Sequence, residues 1–240
     1  MRGNQLYASR LTPYTSQSFI PHASLFSNAS LMPPRFPTAR FISGAHTLAQ
    51  APPDTGREIA FAGRSNAGKS SAINALTGIQ SLARVSKTPG RTQQLNFFEL
   101  GPERRLVDLP GYGYAKAPEH SRRHWKHTLE QYLANRQSLC GLVLIMDIRH
   151  PMTPADLEWL DACFEGGLPV YILLSKADKL SRSAMHLALR HVTAGLTQRY
   201  PGHVKQGVES QPLFEVQAFS VLKKMGIDEA KQRLASWLEI

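Results

Sequence analysis

Residues Gly63, Arg64, Ser65, Asn66, Ala67, Gly68, Lys69 and Ser70 form a G-x-x-x-x-G-K-S sequence directly after the apolar run 59–62. Few short sequences constrain a fold so tightly. The glycines let backbone N–H groups close around a β-phosphate. The lysine reaches the β/γ-oxygens and the serine hydroxyl can ligate Mg²⁺. A helix starting near Lys69 aims its positive end at the same phosphates. The pattern therefore predicts a strand, a phosphate-binding loop and a helix in that order, in a chain that binds a nucleoside triphosphate.

The rest of the sequence repeats the strand–helix alternation. Apolar or alternating runs occur at 59–62, 95–100, 104–108, 141–147, 169–174 and 213–218. The turn Gly101-Pro102-Glu103 joins two of them into an antiparallel hairpin. Helical periodicity covers about 69–78, 119–137, 154–165, 182–199 and 226–239. Thr153 suits an N-cap and Pro154 the first turn of its helix. The expected fold is α/β: a P-loop NTPase with a mostly parallel six-stranded sheet, one antiparallel hairpin and helices on both faces. Ligands then bind at the carboxyl ends of the strands.

Two further motifs end apolar runs. Asp108-Leu109-Pro110-Gly111 can hold Mg²⁺ through water by its carboxylate and offer the Gly111 N–H to a γ-phosphate. In Ser175-Lys176-Ala177-Asp178, the carboxylate can accept both N1–H and N2–H₂ of guanine, a pair that adenine lacks. Lys176 would lie along the base and ribose. Phe219, Ser220 and Val221 follow the last run and can close over the base with backbone groups. Between the phosphate loop and Asp108, either Thr88 or Thr92 can give Mg²⁺ a hydroxyl and the γ-phosphate an N–H, in a loop ordered by the triphosphate.

Composition limits the partners. The net charge is +10, which fits a polyanionic partner, RNA first among them, or simply a solvated surface. No run approaches the length of a membrane-spanning helix. Cys140 and Cys163 lie in apolar patterns and read as small buried hydrophobes of a reducing compartment. Residues 1 to about 53 contain neither Asp nor Glu and carry Arg2, Arg10, Arg35 and Arg40 among many Ser, Thr and Pro residues. Such a stretch lacks the means to build a core. It is a disordered tail, an organellar transit peptide, or in part upstream of a true start at Met32.

Taken together, GRSNAGKS, KTPGRTQQLNFFEL, DLPGYGYAKAP, SKAD and AFS resemble the EngB/YihA group of translation-factor-related bacterial GTPases, over residues 40–240. The resemblance implies a Ras-like fold, binding of GTP or GDP with Mg²⁺, and slow GTP hydrolysis. It also implies a role in large ribosomal subunit assembly and in normal cell division and septation. It divides the chain into an extension, 1–40, and a GTPase domain, 41–240. By position, Gly63 to Ser70 hold phosphates. Gly90, Arg91, Thr92, Gln93 and Gln94 form the first switch, which selects Thr92 over Thr88. Ser70 and Thr92 ligate Mg²⁺ directly, and Asp108 does so through water. Ser175 to Asp178 and Phe219 to Val221 hold the base. Lys69, Thr92 and Gly111 serve the chemistry. Ser175 stands where the group usually has Thr or Asn, and Val221 where a small residue is usual. A monomer in the bacterial cytoplasm is expected, or in an organellar matrix if the extension is a transit peptide. The partner expected is the large-subunit precursor, not a membrane.

Ras-type enzymes orient the attacking water with a glutamine near this glycine. Here Tyr112, Gly113 and Tyr114 follow Gly111, so the isolated protein should turn over slowly. Asn66 either holds K⁺ in place of an arginine finger or makes a local hydrogen bond. Lys116, Arg122, Arg123, Trp125, Lys126 and His127 form an RNA contact or a solvated helix face with Trp125 in the core. Arg149 and His150, after Asp147, are better suited to position a loop than to do chemistry. The other readings are a nucleotide-gated binding module with negligible hydrolysis, and a P-loop kinase, which would need an acceptor pocket and a lid.

Overall fold

The computed structural model describes residues 38–83, 94–113, 119–204 and 212–240, with side chains for all of these except 119–126. Seven strands form one sheet in the order β1-β3-β4-β2-β5-β6-β7. They are β1 (Arg40–Ala45), β2 (Arg57–Gly63), β3 (Leu95–Glu99), β4 (Arg104–Asp108), β5 (Leu139–Asp147), β6 (Val170–Ser175) and β7 (Phe214–Ala218). The helices are α1 (Lys69–Thr77), α2 (Glu119–Asn135), α3 (Pro154–Glu165), α4 (Arg182–Arg199) and α5 (Ile227–Leu238). The expected hairpin is β3 and β4, and β4, β2, β5, β6 and β7 run parallel.

The sheet has one strand more than the six expected. β1 pairs antiparallel with β3, with a register shift between Phe41 and Ser43. Its sequence, RFISGA, lies inside the acid-free stretch whose composition argued against a core. Of its residues only Ala45 is fully buried. An edge strand held by backbone pairing needs little hydrophobic patterning. An edge-to-face contact of Phe41 with Phe98, at 5.9 Å between centroids, adds to it.

The central parallel strands β2, β5 and β6 are apolar on both faces along most of their length, as burial under two helical layers requires. Ile59, Phe61, Val143, Ile145 and Leu173 face α1 and α5, where they meet Ile73, Leu76, Leu234 and Leu238. Ala60, Ala62, Leu142, Leu144 and Ile172 face the other layer and meet Tyr132, Trp159, Leu160, Val192 and Leu196 of α2, α3 and α4. α3 carries the full capping box. The Thr153 side chain accepts from Asp156 N, Asp156 returns the bond to Thr153 N, and Pro154 stands in the first turn.

At the amino end of β2, away from the phosphate loop, Glu58 is wholly buried. Its carboxylate accepts from Arg105 (2.9 Å), from Arg136 (2.6 and 2.9 Å) and from the Tyr132 hydroxyl (3.2 Å). A buried charge persists only when it is paired and hydrogen-bonded this fully. The cluster fixes the carboxyl end of α2 to β2 and β4. Cys140 is half-buried and Cys163 buried, both as free thiols, and burial pushes the Cys140 thiol up from its ordinary range. Among the described residues no helix is long and apolar enough to cross a membrane.

Candidate nucleotide site

The phosphate loop leaves β2 at Gly63 and enters α1 at Lys69. It turns through two left-handed residues, Asn66 at φ 64° and Gly68 at φ 105°. Asparagine is among the residues that tolerate the first, and glycine suits the second. Ala67 N donates to Arg64 O at 2.9 Å, which closes the turn.

The Asp108–Gly111 segment is clipped to this loop. Leu109 N donates to Phe61 O (3.0 Å) and Ser65 N to Tyr112 O (3.1 Å). A Cβ on Gly111 would sit 3.2 Å from Ser65 Oγ and 3.3 Å from Ser65 N, so the close approach favours glycine. Lys69 Nζ pairs with the Asp108 carboxylate, and both side chains are about nine-tenths buried. Ser70 follows Lys69 in the first turn of α1. A hydroxyl and a carboxylate are the hard oxygen donors that suit Mg²⁺, which takes few protein ligands beside phosphates. Among the described residues no three His, Cys, Asp or Glu side chains gather into a metal cage. The donor chemistry fits Mg²⁺, which the Ser70 hydroxyl and the Asp108 carboxylate would help to hold beside phosphates.

The Ser175–Asp178 motif does two things. Ser175 is buried, and its hydroxyl lies 2.5 Å from Ala67 O and 3.1 Å from Met146 O. Lys176 Nζ donates to Asn66 O at 2.7 Å and pairs with Asp147 at 3.0 Å. Asp147 in turn grips Arg149 through two hydrogen bonds of 2.9 and 2.6 Å, and these hold its carboxyl well below the usual range. The first half of the motif thus braces the phosphate loop, and Arg149 locks that brace. Sequence reading did not anticipate this use of Ser175, Lys176 and Asp147. The signal available was that Asp147 and Ser175 end apolar strand runs and Lys176 directly follows one.

Ala177 and Asp178 lie in a short helical turn, Ala177–Lys179, after Lys176 at φ 59°. Ser220 is fully buried, and its hydroxyl donates to Asp178 Oδ1 at 2.6 Å while accepting from Lys223 N at 3.2 Å. The Ser220 hydroxyl first, and Lys179 besides, hold the Asp178 carboxyl below its ordinary value. Ala177 N donates to Phe219 O at 3.1 Å, which joins the 175–178 and 219–221 segments. Phe219 is buried and Val221 exposed.

Tyr112 is partly buried and turned to α3. Its hydroxyl donates to Asp156 Oδ1 at 2.6 Å and its ring stacks on Trp159 at 5.6 Å. Burial, with Asp156 beside it, pushes its ionisation far above the ordinary tyrosine range. Gln94, at the foot of β3, packs against Gly44 of β1 and donates to Asn96 Oδ1 at 3.0 Å. Thr88, Gly90, Arg91, Thr92, Gln93, Tyr114 and Lys116 lie outside the described residues, as do the side chains of Arg122, Arg123, Trp125 and Lys126. His127 is exposed on α2.

A family model described as "50S ribosome-binding GTPase" matches residues 58–176. A crystal structure of a probable GTP-binding protein EngB superposes with a TM-score of 0.57 at 21% identity, covering 76% of this chain and 98% of that one. That likeness establishes the Ras-like fold. The probable GTP-binding protein EngB of Nitrosococcus oceani is 52% identical over 202 residues, 84% of this chain and 96% of that protein. The corresponding protein of Nitrosomonas europaea is 52% identical over 206 residues, 86% of this chain and 88% of its own. Half of all residues shared along nearly the whole length of such relatives places this chain in the EngB family of GTP-binding proteins.

Proposed function

We propose that this GTPase is a slow switch in assembly of the large ribosomal subunit, in the bacterial cytoplasm, acting as a monomer. Through that role it supports normal cell division and septation. The observation that carries the reading is the commitment of Tyr112. The residue after Gly111 gives its hydroxyl to Asp156, so it has none to spare for orienting water at a γ-phosphate. A GTPase without that group awaits completion by a partner, which is how a switch differs from a metabolic enzyme. The ribosome-binding description of the matching family model and the net charge of +10 support a ribosomal partner.

In this reading Gly63 to Ser70 cradle the phosphates, Lys69 neutralises the β/γ-oxygens, and Gly111 N–H meets the γ-phosphate. Ser70 and Thr92 would hold Mg²⁺ directly and Asp108 through water, and the ion would supply positive charge to the phosphates. Gly90 to Gln94 respond to the γ-phosphate, and Asp178 with Phe219 to Val221 selects guanine. Asn66 would hold K⁺, and the ion would supply the positive charge that an arginine finger gives elsewhere.

Hydrolysis by the isolated protein in Na⁺ is therefore expected to be slow. It should rise in K⁺ at equal ionic strength and rise further with large-subunit precursors, a supplied positive charge being worth roughly 10³–10⁵ in rate. Asn66→Ala and Asn66→Gly should both abolish the K⁺ effect while retaining GDP binding. The glycine variant separates loss of the amide from strain at φ 64°. Fast turnover in Na⁺ alone would contradict the proposal.

A further inference from the structure

α4 breaks the charge rule that its neighbours obey. Helix amino ends favour acids. α3 has Asp156 in its first turn, and α5 has Asp228 and Glu229. α4 follows its Ser181 cap with Arg182 and has no acid in its first turn. No Asp or Glu occurs anywhere between Lys179 and Val208.

The inner side of α4 supplies Val192 and Leu196 to the core. The outer side exposes Arg182, His186, Arg190 and His191. Residues 182, 186 and 190 recur every fourth position, so they form one stripe with a Cα step of about 6 Å. Lys179, just before the amino end, is exposed but already paired with Asp178 at 3.5 Å. Arg182 and Arg190 make no ion pair among the described residues, whereas Arg199 is neutralised by Asp161 of α3 at 2.6 Å. A merely solvated helix face normally mixes both signs and gains from i,i+4 pairs. This one forgoes them and carries a cation at the unfavourable end of the dipole.

We propose that the outer face of α4 docks against RNA backbone. It rests on the ribosomal reading only for which RNA is met. Arginine and histidine pair with phosphates and also stack on unpaired bases. A lipid surface would require an apolar face, and α4 exposes a single large apolar side chain, Leu187. α4 follows the Asp178 loop, which meets the base common to GTP and GDP, and not the segment that meets the γ-phosphate. The contact is therefore a constant anchor, and nucleotide control belongs to the switches.

The test uses the full chain with Arg182→Glu, Arg190→Glu and the double variant. Lys231→Glu, on α5 across the sheet, is the charge-matched control for each single change. Binding is read against a short fluorescein-labelled RNA duplex and against purified large ribosomal subunits, each with GDP and with a GTP analogue. The double variant should bind the duplex about ten-fold more weakly, with a salt slope shallower by about 1 per arginine. The factor should be the same in both nucleotide states, and the loss should recur on subunits. Arg182→Glu should not lower the thermal midpoint, because it corrects the charge at the helix end. Unchanged duplex binding by variants that still bind GDP would overturn the proposal. So would an equal loss in Lys231→Glu, or a loss on subunits alone, which would indicate an acidic protein partner. The duplex measurement needs no ribosome, so it stands apart from failure of the assembly reading.

Discussion

Lys69→Ala is expected to slow GTP turnover by about 10²–10³-fold, the usual cost of removing one preorganised donor from developing negative charge. Lys69 opens α1 directly after the left-handed Gly68, and in a phosphate loop of this sequence the helix end, the loop N–H groups and the ammonium serve the same phosphates. Its partner Asp108 is nearly buried beside it. Removing the ammonium takes positive charge from the β/γ-oxygens and leaves that carboxylate without its cation. Single-turnover hydrolysis, with GDP affinity and thermal midpoint measured on the same preparations, separates the two effects. The rate should fall far more than GDP affinity does. A rate within a few-fold of the parent would show that Lys69 does not face the phosphates.

Asp178→Asn is expected to weaken GTP binding by about 10²–10⁴-fold, because a site built to accept two N–H donors then presents one of its own. Preference should move toward xanthosine triphosphate, whose base exchanges the matching donor and acceptor. Ser220 can still donate to the amide oxygen, so the base loops should stay joined and the fold intact. The parent's guanine preference should also be flat with pH to below the ordinary carboxylate range. The Ser220 hydroxyl lowers the Asp178 pKa, so the charged form persists further into acid. Equal affinity of the parent for ATP and GTP would contradict the assignment of Asp178 to the base.

Much of this was legible in the sequence, for local reasons. A phosphate loop needs particular glycines and a Lys-Ser pair, and helices α1 to α5 each write a 3.6-residue period along one continuous segment. What was not legible depends on segments meeting. β1 is an edge strand whose backbone does the pairing, so its residues look like the acid-free stretch before it. Glu58, Arg105, Tyr132 and Arg136 come from three separate elements and the turn after α2, and the sequence does not pair them. Ser175 and Lys176 read as half of a base motif, and only the packing of β6 beside the phosphate loop shows that they also brace it. Tyr112 was recognisable as a residue unable to orient water as an amide does. Its bond to Asp156 required the α3 capping box and the Asp108–Gly111 segment to be neighbours.

The most direct test of the account is co-sedimentation of the full chain with large-subunit precursor particles, in a non-hydrolysable GTP analogue and in GDP, with the bound RNA sequenced. The account predicts much stronger retention with the analogue than with GDP, and recovery of large-subunit rRNA. Equal retention in the two states, or no retention in either, would contradict a GTP-controlled role in building that subunit.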